Sequence, residues 1–115
     1  LEFLEAHEAE YTWADDLTQR EVKRYYQRRS GPMMVTFDLD AVDQAQAPGV
    51  SAPAVGGIDQ ELWLLAAYHA GRCPQVTSID IVELNPKVDV DNRTARLAAL
   101  TVMQILRGLC DRRRG

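Results

Sequence analysis

The sequence predicts an α/β fold built on a parallel sheet. β-prone runs alternate with helix-patterned segments, in the order strand, helix, strand, helix, strand, helix. One of the runs, Met33 to Leu39, is almost continuously apolar, the pattern of a strand covered on both faces. The helical segments are bounded by capping and breaking residues that leave room for crossovers, which strand twist makes right-handed.

Leu1 to Glu10 is acidic, carries apolar Leu1, Phe3 and Leu4, and reads as the end of a helix. Tyr11, Thr12 and Trp13 form a short β-prone run, the first expected strand. Asp15 or Asp16 can cap a polar helix from about Thr18 to Arg29, ended by Ser30-Gly31-Pro32. The Met33 to Leu39 strand follows, then a loop from Asp40 to Gly57 rich in Pro, Gly, Ala and Gln. Asp59 is placed to cap a helix containing Leu62, Leu64, Leu65, Ala66, Tyr68 and His69, with Gly71 just past its end. Val76 to Leu84 is the last strand, stopped by Asn85-Pro86. After a polar loop, Asp91 or Asn92 can cap the final helix, whose Ala95, Leu97, Ala98, Val102, Ile105, Leu106 and Leu109 line an apolar face. Three parallel strands need helices on both sides, and one edge strand is left without a neighbour.

Composition narrows the function classes. The 115 residues carry a net charge of −4, which argues against a nucleic-acid partner. No apolar run is long enough to span a bilayer and no stretch reads as a signal peptide. Cys73 and Cys110 have neither metal-like spacing nor a disulfide framework, which points to a reduced, cytoplasmic setting. The basic end, Arg107 and Arg112 to Arg114, suits a helix C-terminus. The chain opens on Leu1, from which an internal start is expected.

The chemistry concentrates at two strand ends. In Thr36-Phe37-Asp38-Leu39-Asp40, strand alternation puts Asp38 and Asp40 on one face at the C-terminal end of a parallel strand, where open α/β sheets bind ligands. Two adjacent carboxylates repel, and a divalent cation relieves the repulsion; hard oxygen donors suit Mn²⁺ or Mg²⁺. An Asp-x-Asp alone also occurs at plain strand ends and in phosphoryl-transfer enzymes. Glu83, near the end of the next strand, can face the same crevice and bind a cationic amidine or guanidinium. Asp80 alternates away from it and suits buried hydrogen bonding. Arg93 and Arg96 share a helix side and read as a solvated face.

The three strings TFDLDAVDQAQAPGVSAPAVGG (36–57), SIDIVELNP (78–86) and DNRTARLAAL (91–100) together resemble the ureohydrolase superfamily of arginases, agmatinases and formimidoylglutamases. Thr36 stands where the family usually has Ser, and Gln44 where many arginases have Pro. The Ala47-to-Pro53 loop and the Asn92-to-Ala99 string resemble formimidoylglutamases in particular. The resemblance spans roughly residues 10–110. It implies that residues 1–115 are the C-terminal fragment of a single ureohydrolase domain, part of a three-layer α/β/α arginase-like fold.

The resemblance further implies a hydrolase of linear amidines with two Mn²⁺ ions in the complete protein. Asp38 would bridge both ions, Asp40 would bind one, and Glu83 would hold the substrate's nitrogen-rich end. The implied substrate is N-formimino-L-glutamate, an intermediate of histidine degradation, cleaved to L-glutamate and formamide. An agmatinase- or arginase-type guanidino hydrolase, or a catalytically inactive subunit, is the alternative. Family members are commonly homo-oligomers. The family's Gly-Gly-x-His and Asp-x-His-x-Asp elements are not in this sequence, and neither His7 nor His69 has a partner at ligand spacing. The isolated chain is therefore expected to be inactive.

Overall fold

The computed structural model describes all residues except Arg28 and Arg29. In chain order it contains α1 (Glu2–Ala6), α2 (Gln19–Gln27), β1 (Met33–Asp38), α3 (Gln60–Arg72), β2 (Val76–Val82) and α4 (Arg93–Arg114), with short 3-10 turns at Ala14–Asp16, Leu39–Ala41 and Pro86–Val88. β1 and β2 pair in parallel, with Thr36 opposite Asp80 and Asp38 opposite Val82. The α/β class and the parallel pairing match the expectation.

Among the described residues the sheet has two strands, not three. The Tyr11–Trp13 run makes no strand; Trp13 is the N-cap of the 3-10 turn, and the two rings meet edge-on while staying largely exposed. Three β-prone residues followed by Asp15-Asp16 cannot sustain a strand without a neighbour to pair with. Those two aspartates lie in the turn itself. The first turn of α2 is served instead by Thr18, whose Oγ accepts the Glu21 N–H at 3.3 Å. The expected end of that helix at Arg29 lies outside the described residues.

Side-chain alternation along β1 decides what the sheet covers. Phe37 is buried while Met34, Thr36 and Asp38 are exposed, Met34 at 65%. Phe37 and Leu39 join Trp63, Ala67 and Ala70 of α3 and Leu97 and Ile105 of α4 in one core, against which Val35, Ile79 and Ile81 pack. α3 and α4 thus cover one face of the sheet, and the Met34–Thr36–Asp38 side stays open among the described residues.

The two helices approach at contact distance. Gly71 is not the residue past the end of α3; it lies inside the helix, and Cys73 is the C-cap. A Cβ at Gly71 would run into the Ile105 carbonyl of α4, and one at Gly108 into the Tyr68 carbonyl of α3. Glycine is required here by backbone proximity rather than by helix termination. Where the helices are less tightly apposed, Trp63 Nε1 donates to Thr101 Oγ at 2.8 Å, and the Thr101 hydroxyl donates to the Leu97 carbonyl at 2.8 Å. At the far end Arg112 donates to the Cys73 carbonyl at 2.9 Å, so this arginine serves the last turn of α3 rather than its own helix.

The buried side of α4 also differs from expectation. Val102 and Leu106 are exposed, while Thr94, Thr101 and Gly108 are buried. Thr101 can occupy the seam because both of its hydrogen-bonding roles are satisfied there.

Candidate metal and substrate site

β1 ends at Asp38, so strand alternation does not bring Asp38 and Asp40 together. The chain turns at once into the Leu39–Ala41 3-10 turn, and Asp38 Oδ1 accepts the Asp40 N–H at 2.9 Å as that turn's cap. The turn is anchored by Leu39, which is fully buried. Asp38 itself is exposed and Asp40 half-buried.

β2 ends opposite, at Val82 rather than Leu84. Because Val82 pairs with Asp38, Glu83 is the first residue beyond the sheet on the neighbouring strand. All three expected site residues therefore sit at the C-terminal edge of two adjacent parallel strands. Glu83 has φ 70°, the left-handed region. Its side chain is exposed.

Asp80, on the other hand, does not make the hydrogen bonds expected of it: its Oδ1 is buried without a partner among the described residues. Thr36, its opposite number on β1, is exposed and leaves that oxygen unmatched. His69 is half-buried in α3 with its Nε2 likewise unpartnered, its ring stacked near Tyr26. Burial, together with Lys23 and Arg72, holds His69 below the ordinary histidine pKa. Burial first, and then Cys73, raises the Tyr26 hydroxyl. His7, the C-cap of α1, is exposed and its ring is hydrogen-bonded to the Phe3 carbonyl.

The loop between β1 and α3 is held at several points. Asp43 accepts the N–H groups of Ala45 (2.9 Å) and Gly56 (3.0 Å), which closes the loop on itself. Asp59 caps α3 as expected, accepting the Glu61 N–H at 2.8 Å and a bond from Gln46 at 3.0 Å. Those bonds lower its pKa, the Glu61 backbone N–H most. Arg93, expected on a solvated face, is exposed but reaches back to the Ala45 carbonyl at 3.1 Å.

The start of α4 is capped by neither Asp91 nor Asn92. Both have left-handed backbones, and Asn92, at the N-cap position, makes no side-chain cap bond. Asp89 does the work from further upstream, accepting from Val90 and Thr94 through Oδ1 (2.9 and 3.1 Å) and from Ala95 through Oδ2 (3.0 Å). The left-handed pair folds the chain back so that this carboxylate meets the orphan N–H groups of the first turn. Burial pushes the Asp89 carboxyl up, but the N–H groups of Ala95, Thr94 and Val90 and the Thr94 hydroxyl together hold it below its ordinary value.

The residues at the β1 end fit a hard divalent cation in part. Both are carboxylates, and Asp40 Oδ1 is buried with no hydrogen-bond partner among the described residues, an arrangement costly for an ionised oxygen unless a cation meets it. Among the described residues, however, no group of three or more His, Cys, Asp and Glu side chains stands ready to hold a metal. Asp38 and Asp40 are the two carboxylates at that strand end.

Residues 1–107 match the sequence model of the arginase family. The chain belongs to the arginase family. It is 37% identical over 106 residues to a formimidoylglutamase of Staphylococcus carnosus, covering 87% of this chain and 34% of that protein. With a formimidoylglutamase of Halalkalibacterium halodurans it shares 40% identity over 76 residues, covering 66% and 24%. The chain therefore spans about a third or less of the length of these relatives. The fold superimposes on Trypanosoma cruzi formiminoglutamase, solved with Mn²⁺, at a TM-score of 0.87 and 23% identity, over 94% of this chain and 38% of that one. It also superimposes on Bacillus caldovelox arginase at 0.79 and 29% identity, over 93% and 38%. The arginase-like α/β architecture expected from the sequence is thus the observed one. No helix among the described residues is long and apolar enough to cross a membrane.

Proposed function

We propose that this chain is the C-terminal part of a manganese-dependent formimidoylglutamase. The observation that carries the reading is the placement of two carboxylates and a third at the ends of adjacent parallel strands. Asp38 and Asp40 are linked through the Asp40 N–H, and Glu83 lies one residue beyond Asp38's partner Val82. The two strings that set formimidoylglutamases apart, in the 47–53 loop and the first turns of α4, are the parts of the chain that brace this edge.

In this reading Asp38 and Asp40 hold the metal pair, with the remaining ligands supplied by parts of the complete protein outside these residues. When bound there, two Mn²⁺ ions would lower the pKa of water toward neutrality. Glu83 accepts hydrogen bonds from the N–H groups of the formimidoyl end, a charge-assisted contact that orients the planar carbon. Water adds to that carbon, the bond from carbon to the glutamate nitrogen breaks, and the departing amine takes a proton. L-Glutamate and formamide result. The complete protein works on a small molecule in the cytoplasm, as a homo-oligomer.

Assaying the complete protein with Mn²⁺ against N-formimino-L-glutamate, agmatine and arginine tests this. Turnover is expected with the first alone. Turnover of agmatine or arginine in its place would make the protein a guanidino hydrolase, and inactivity on all three an inactive subunit. The isolated chain is expected to hydrolyse none of them.

A further inference from the structure

We infer that Asn85 is a positioning residue for Glu83: it locks Glu83 in its left-handed conformation by tying the end of β2 to the loop at Gly49–Ser51. The inference rests on the reading of Glu83 as the carboxylate that contacts substrate.

At φ 70° an L-residue crowds its Cβ against the backbone, and glycine, asparagine or aspartate is the usual occupant. A glutamate persists there only when its surroundings over-determine the backbone. On one side of Glu83 the constraint is the sheet, whose last pair is Asp38 and Val82. On the other side it is Asn85, two residues on, which engages all of its hydrogen-bonding groups. Its N–H donates to the Gly49 carbonyl at 2.7 Å, and its own carbonyl accepts from Val88 at 3.3 Å. Its Nδ2 donates to Ser51 Oγ at 3.1 Å, and its Oδ1 accepts the Lys87 N–H at 3.2 Å.

The anchor is itself fixed. Gly49 N–H donates to the buried Thr94 hydroxyl at 2.7 Å, so the loop is tied to the first turn of α4. Glu83 is therefore clamped between the sheet and a braced loop, with a single residue, Leu84, between it and the clamp. A carboxylate that must meet a planar amidine in one orientation gains from such preorganisation, because its backbone need not be ordered when substrate arrives.

The test is a double-mutant cycle in the complete, Mn²⁺-loaded protein with N-formimino-L-glutamate. Glu83→Ala is expected to abolish most of kcat/KM. Asn85→Ala and, from the loop side, Ser51→Ala should each lower kcat/KM, Asn85→Ala by about tenfold or more. Neither should lower it further when combined with Glu83→Ala, because a clamp with nothing to position has no effect. Ser51 is exposed, so its variant reports even where Asn85→Ala fails to fold. A crystal structure of Asn85→Ala or Ser51→Ala should show residue 83 released from positive φ or spread over conformers. Losses that multiply with Glu83→Ala, or an unchanged φ at residue 83 in both variants, overturn the clamp while leaving the function intact. An inert Glu83→Ala substitution overturns both the role of Glu83 and the clamp built on it.

Discussion

The carboxylate of Asp89 lies against Gly49 so closely that a Cβ at Gly49 would stand 2.5 Å from Asp89 Cγ and 2.6 Å from its Oδ1. One contact therefore joins the Pro-Gly loop after β1 to the cap of α4. Gly49→Ala must displace either the loop or the carboxylate. It is expected to destabilise the chain by about 1–3 kcal/mol, through overpacking and partial loss of the cap. Asp89→Ala removes the cap alone and is expected to cost about 1 kcal/mol. In the double variant the two losses should fall short of their sum, because they share a partner. Urea unfolding of the four proteins measures this.

Acid should weaken the fold in two stages. His69 has a depressed pKa when folded, so its neutral form is preferred there. Its contribution is complete above the unfolded value of about 6.5 and is lost as the pH falls below it. Asp89 and Asp59 are also depressed. Their contributions are complete above the unfolded value of about 3.9 and disappear as the pH falls through their folded values. Unfolding midpoints across pH should show both stages. His69→Gln should flatten the first, and Asp89→Asn should reduce the second.

The helix crossing tolerates no added carbon. Gly71→Ala and Gly108→Ala each drive a Cβ into backbone of the other helix, which cannot move aside as a side-chain tip can. Each is expected to cost about 3 kcal/mol or more, measured by chemical unfolding. A helix stabilised by alanine at either position would contradict the close crossing.

Thr101 tests the polar seam between the same helices. Thr101→Val keeps the shape but leaves the buried Trp63 Nε1–H without an acceptor, an expected loss of about 1–3 kcal/mol. Adding Trp63→Phe to that variant should recover part of the loss, since no donor then remains to be satisfied. Thermal unfolding of the two proteins gives the comparison.

At the candidate metal edge, Asp38→Asn and Asp40→Asn in the complete protein should each weaken Mn²⁺ binding by about tenfold or more. Metal content after dialysis reads this out directly. Undiminished Mn²⁺ in both variants would remove the pair from the metal site.

The sequence alone determined the element types that matter most for function. The strand expected over Met33–Leu39, which ends at Asp38, the Asp59 cap and the strand before Asn85-Pro86 all came from local signals: an apolar run, a side-chain acceptor, a residue that cannot continue a ladder. It also brought Asp38, Asp40 and Glu83 to one sheet edge, because parallel strands joined by a crossover helix end on the same side. Only the tertiary structure decided the rest, because those features depend on residues far apart in the chain. Gly71 looks like a helix end until Ile105 of α4 is seen against it. Asp89 looks like a loop residue until Asp91 and Asn92 fold left-handed and turn α4 back onto it. Tyr11–Trp13 has β propensity, but propensity makes no strand without a neighbour to bond, and none stands beside it among the described residues. Asp38 and Asp40 are adjacent through a 3-10 turn rather than strand alternation, with Asp38 Oδ1 accepting the Asp40 N–H as the chain leaves the strand.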